Sequence, residues 1–132
     1  MKKLWLMLGI LVFACVAVMA ESPSKVAILT RGDSWLYGED VAGVREAIKA
    51  FGDDIIHVDL LVTGGTLKPA FVIDAIVNQA NNPEVKAIIV LAAPYGTVQA
   101  FERIRQVRKD IFLVAVDSVE SLEEIEASAD LV

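Results

Sequence analysis

Cysteine occurs once, at position 15, and histidine once, at position 57. One thiol cannot form an internal disulfide, and cysteine metal sites and His-rich zinc or copper sites are excluded with it. Positive charge is also scarce: 12 Lys and Arg stand against 18 Asp and Glu, a net charge of −6. Nucleic-acid binding needs Lys and Arg to neutralise phosphates, so no nucleic-acid partner is expected. The glycine-rich phosphate loops are missing too. No G-x-G-x-x-G, G-x-x-x-x-G-K or G-x-S-x-G occurs anywhere in the chain, which leaves dinucleotide, P-loop and α/β-hydrolase chemistry without a basis.

What is there begins with a leader. Lys2 and Lys3 precede an uncharged apolar run of about 17 residues, 4–20, after which the chain turns polar at Glu21-Ser22-Pro23-Ser24-Lys25. A positive head, an apolar stretch and a small residue at the exit predict a secretory signal peptide, with cleavage after Ala20. Two other fates stay open. The run reaches the lower limit for spanning a bilayer and could remain as an anchor. Val12-Phe13-Ala14-Cys15 resembles a lipoprotein signal box, in which Cys15 would be acylated. Cleavage removes two lysines and no acid, leaving ten bases against 18 acids, a net −8. The expected address is periplasmic or extracytoplasmic, with membrane contact only through the leader or a lipid. The expected division is a signal peptide over 1–20, a linker over 21–25 and one α/β lobe over 26–132.

Within that lobe four apolar runs rich in β-branched residues, 26–30, 55–62, 85–93 and 111–117, alternate with helical patterns. That alternation predicts a parallel sheet covered on both faces. The second run is the most alternating and is expected nearest an edge. Asp40 is expected to cap a helix with Val41, Val44, Ile48 and Phe51 as its inner stripe, ended by Gly52. Pro69 suits the first position of a helix over 68–80, stopped by Asn81-Asn82-Pro83. Thr97 is expected to cap a third helix with Val98, Phe101, Ile104 and Val107 inward. Arg103, Arg105, Arg108 and Lys109 gather toward its C-terminal end, where the dipole favours cations. Ser121-Leu122-Glu123-Glu124 is a capping box opening a fourth. Ala129-Asp130-Leu131-Val132 has the pattern of a fifth strand's first residues, so an incomplete lobe is expected. The fold class is a doubly wound open parallel α/β sheet.

In such sheets ligands bind beyond the carboxyl ends of the strands, near the reversal of strand order. The loops there hold Arg31, a fork of donors; Asp33 and Asp117, acceptors; Trp35, Tyr37 and Tyr95, flat apolar faces; and Ser34, Pro94 and Ser118 beside them. This set suits capture of a small polar solute. The bland readings stand alongside: Trp35 and Tyr37 packing the loop, and Asp117-Ser118 capping the fourth helix. A receiver domain is excluded, because Asp53-Asp54 precedes its strand and the third strand closes on Ala92-Ala93-Pro94. His57 falls inside a strand, where a structural or surface role is expected, and Gly64-Gly65 suits a tight turn. Asp33 and Asp117 are expected at facing strand ends, and paired carboxylates can do acid–base work. Nothing else converges on them, so no enzyme and no cofactor is expected.

Several segments in order carry a resemblance: Phe51-Gly52-Asp53-Asp54-Ile55-Ile56-His57-Val58, Asn82-Pro83-Glu84-Val85-Lys86-Ala87-Ile88-Ile89-Val90, Pro94-Tyr95-Gly96-Thr97, Ile104-Arg105-Gln106-Val107-Arg108-Lys109-Asp110-Ile111 and Ala127-Ser128-Ala129-Asp130-Leu131-Val132. With them the chain resembles the amino-terminal lobe of a type I periplasmic-binding-protein-like fold, and within it a functionally uncharacterised family of exported bacterial proteins. The resemblance implies a two-lobed protein closing on a solute, partnered with a membrane transporter or receptor, and no catalytic residues.

Overall fold

The computed structural model describes residues 24–31, 38–61 and 67–132. Residues 1–23, with Cys15 and Ala20, and Gly64-Gly65 lie outside them. Strands β1 (Lys25–Thr30), β2 (Ile55–Asp59), β3 (Val85–Leu91) and β4 (Phe112–Val116) alternate with helices α1 (Gly38–Phe51), α2 (Pro69–Ala80), α3 (Thr97–Val107) and α4 (Leu122–Ser128). All pairings are parallel and the order is β2-β1-β3-β4. The fold is α/β, consistent with the doubly wound open class. β2 is an edge strand, as its alternating pattern predicts. Leu131 forms a parallel bridge to Val114, adding a fifth position beside β4.

Successive residues of a strand point to opposite faces, and that alternation sorts the helices. Ala27 and Leu29, Ile88 and Val90, and Leu113 and Ala115 share one buried cluster with Val72 and Ile76 of α2, Phe101 and Ile104 of α3, and Ile125 of α4. Those three helices therefore cover one face. α1 lies on the other, over β1 and β2, where it buries Val41 and Val44. Nothing described covers that face over β3 and β4. Phe112 and Val116 remain 49% and 42% exposed there.

Several local expectations are corrected. α1 begins at Gly38, so Asp40 sits inside its first turn and is not the cap. Its stripe stops after Val44: Ile48 and Phe51 are exposed, because α1 runs past the covered strands. Gly52 does end it, at φ +59°. The cap of α3 is Gly96 in the left-handed region, and Thr97 is the first helical residue. Thr97 faces inward with Ala100, Phe101 and Ile104, whereas Val107 is 76% exposed. The inward stripe follows i, i+3, i+4, i+7 from Thr97 and not steps of three, since 3.6 residues per turn rotate Val107 away. β2 stops at Asp59 and β3 at Leu91, short of the sequence boundaries. Ala92 ends the second of these at φ +50°.

Arg108 ties the bottom of the sheet together. Its guanidinium donates to the carbonyls of Ala80 (3.0 Å), Asn82 (3.2 Å) and Val85 (2.9 Å). The end of α2, the turn after it and the start of β3 thus share one fork of donors. Gly96 does similar work at the top. A Cβ there would lie 2.8 Å from the Pro69 carbonyl oxygen, so only glycine lets α3 close on the start of α2.

Candidate functional site

Because β1 is flanked by β2 on one side and β3 on the other, the order of the chain reverses at β1/β3. The helix that follows β1 and the helix that follows β3 lie on opposite faces, and in open α/β sheets such a reversal is where ligands bind. Arg31 follows β1 directly, is half-buried and already has a partner of its own. Asp33, Ser34, Trp35 and Tyr37 lie outside the described residues. Of the predicted set, Arg31, Pro94, Tyr95, Asp117 and Ser118 are described, and all five stand at the carboxyl ends of β1, β3 and β4.

The loops after β3 and β4 are knitted by the backbone. The Ala93 N–H donates to the Val116 carbonyl (3.1 Å), and the Val119 N–H donates to the Ala93 carbonyl (3.0 Å). Pro94 is buried, and its carbonyl accepts from the Thr97 hydroxyl (2.7 Å) and N–H (3.2 Å). Its role is to start α3. Tyr95 is 64% exposed at the rim. Asp117 is exposed, with φ +51°. The Ser118 hydroxyl accepts from the Glu120 N–H at 3.1 Å. The fourth helix is capped by Ser121, which accepts from the Glu124 N–H at 3.3 Å, so Asp117-Ser118 is not its cap.

Sequence reasoning missed Glu120. Its carboxylate Oε1 accepts the Val98 N–H at 2.9 Å and so answers a free donor in the first turn of α3. The partners are 22 residues apart, so no local pattern announces the contact. Acidic groups also stand at the other strand ends: Asp59 closes β2, accepting the Leu61 N–H at 2.9 Å, and Glu39 and Asp40 open α1. His57 leans from its register partner Ile28 toward this end, to Thr30, the last residue of β1. Its Nε2 lies 2.8 Å from the buried Thr30 hydroxyl, a structural pairing beneath α1. Among the described residues no group of three or more His, Cys, Asp or Glu could hold a metal ion. What the arrangement offers chemically is carboxylate and hydroxyl acceptors beside an exposed aromatic ring.

No curated protein and no solved structure matches the chain. Residues 24–132 match the model of a protein family described as of unknown function, DUF3798, and the chain belongs to that family.

Proposed function

We propose that this chain is an exported, non-catalytic lobe that holds a small polar solute at the carboxyl ends of its strands. In this reading it is the amino-terminal lobe of a type I periplasmic-binding-like protein, handing its solute or signal to a membrane transporter or receptor. The observation that carries the proposal is the reversal at β1/β3, with Arg31 and Tyr95 in the chain after those two strands and Asp117 and Ser118 after the neighbouring β4. The apolar run at 4–20 and its charged head support export. The test is a thermal-shift screen of the full-length gene product against sugars, nucleosides and amino acids. A shift of a few degrees with one class is expected, and silence across all classes sinks the reading. Mass spectrometry of cell fractions tests the address: intact chain with Met1, dissolved in the cytosol, would end it.

One observation favours a second reading, an envelope interaction or scaffold protein without a small ligand. Parallel sheets are ordinarily covered on both faces, yet Phe112 and Val116 stand half-exposed over β3 and β4. A silent solute screen together with self-association that Phe112→Glu abolishes would select this alternative.

A further inference from the structure

We infer that β2 is the contact through which two copies of this chain join, edge to edge and antiparallel, into one continuous sheet. The inference is separate from the solute-binding reading and stands or falls without it. β2 is the outermost strand on its side, and its five residues are all half-buried, whereas β1 and β3 each bury several. The Leu60 N–H turns inward to the Thr30 carbonyl at 2.9 Å. Backbone polar groups alternate sides along a strand, so those of His57 and Asp59 face outward together with the Ile55 carbonyl. The Ile55 N–H is engaged by the Gly52 carbonyl. Natural edges are blunted by lysine, proline or a bulge. Ile55-Ile56-His57-Val58-Asp59 has neither residue, and its register with β1 runs from Val26↔Ile55 to Thr30↔Asp59 without a shift.

A second copy is the occupant that the charges fit. Outward groups must meet outward groups, which sets the pairing about His57: His57 meets its counterpart, and Asp59 meets Ile55 of the other copy. Pairing about Ile56 instead would set Asp59 against Asp53. The countercharge comes from α1, which lies over β1 and β2 and buries Val41 and Val44. In a right-handed crossover, a turn of about 100° per residue aims Arg45 and Lys49, both exposed, toward the open edge. Lys49, in the last turn, stands over the start of β2 and therefore over Asp59 of the second copy. Its present partner is Glu46, and with both side chains 72% exposed that pair contributes little and is free to exchange. Arg45, midway along the helix, already has a partner of its own. Strands about 4.8 Å apart would set the two α1 helices about 10 Å from each other, the spacing at which helices pack.

The experiment joins analytical ultracentrifugation of the chain as recovered from its cells to amide hydrogen exchange. A monomer–dimer equilibrium is expected, and the His57 and Asp59 amides, open in the monomer, gain protection as the dimer fills. A chain that stays monomeric up to millimolar concentration overturns the inference, as does a dimer in which those two amides exchange freely. His57→Pro removes the outward N–H at the centre of the junction and is expected to weaken the dimer at least ~10-fold. His57 also holds Thr30, so an exposed charge pair covers the case in which that variant unfolds. Lys49→Asp is expected to weaken the dimer roughly 10-fold, because the pair occurs twice and reversal turns attraction into repulsion. Adding Asp59→Lys to Lys49→Asp is expected to restore it, and failure of that rescue overturns the inference. Association lost with Phe112→Glu but not with these variants places the contact on the face over β3 and β4 and also overturns it. Each of these outcomes leaves the solute screen to be decided on its own.

Discussion

Ala92 and Asp117 leave the sheet side by side in the same unusual conformation. They follow the register partners Leu91 and Val116, and their φ angles are +50° and +51°. For an L-residue this left-handed region costs roughly 1–2 kcal/mol, because Cβ crowds the following carbonyl oxygen. Two neighbouring strand ends therefore make the same strained turn, and the Ala93 N–H bond to the Val116 carbonyl locks one against the other. Strain of this kind persists where the surroundings over-determine the backbone, and here it sits at the rim of the candidate site.

Replacing Asp117 by glycine removes that strain at an exposed position. Asp117→Gly is expected to stabilise the fold by about 0.5–1 kcal/mol. Ala92→Gly loses a buried methyl group as well and is expected to come out near neutral. Urea titration of both variants checks the contrast. A destabilised Asp117→Gly would show that the aspartate makes a contact worth more than the turn costs.

Gly96 allows no side chain. Its φ is +104°, and a Cβ would sit 2.8 Å from the Pro69 carbonyl oxygen and 3.3 Å from Ile73 Cγ1. Gly96→Ala is expected to cost about 2–4 kcal/mol, since backbone strain and overpacking of α3 against α2 act together. Calorimetry measures this directly. A loss under about 1 kcal/mol would mean that the two helices slide apart cheaply.

Arg108 serves three carbonyls with one planar fork, and its pairing with Asp110 holds that carboxyl below the usual carboxylate range. Arg108→Ala leaves these carbonyls short of donors at the junction of α2 and β3. The expected loss is about 2–4 kcal/mol, and Arg108→Lys is expected to recover less than half, because an ammonium cannot reproduce the fork. Hydrogen exchange at Val85 to Ala87 reports the local effect.

The acid limb of the stability curve should bear the mark of Asp130. Partial burial raises its pKa, but the Leu113 N–H at 2.7 Å and the Arg105 guanidinium together outweigh that and hold the carboxyl below its ordinary value. A depressed carboxyl contributes stability above the unfolded value of about 3.9 and loses it as pH falls through the lower folded value. Asp130→Asn is therefore expected to be less stable at neutral pH and to lose less on acidification from about pH 5 to 2. Unfolding free energy measured across that range would settle it; parallel curves for variant and native chain would rule the account out.

By itself the sequence determined the strands and their company. Runs such as Ala87-Ile88-Ile89-Val90 are apolar on both sides, the pattern of strands in parallel sheets, and the long helix-patterned stretches between the runs supply the crossovers that parallel pairing needs. Ser121-x-x-Glu124 marked the start of α4 for an equally local reason: cap and partner lie three residues apart. Tertiary structure alone decided the order β2-β1-β3-β4, because apolar periodicity says that a strand is buried but not against which neighbour. It also decided that α1 covers only half of its face, that Thr97 turns inward while Val107 turns out, and that Arg108 and Glu120 reach across 23 and 22 residues to Val85 and Val98. Those contacts arise when distant backbone polar groups need partners in a space that exists only after the sheet has assembled.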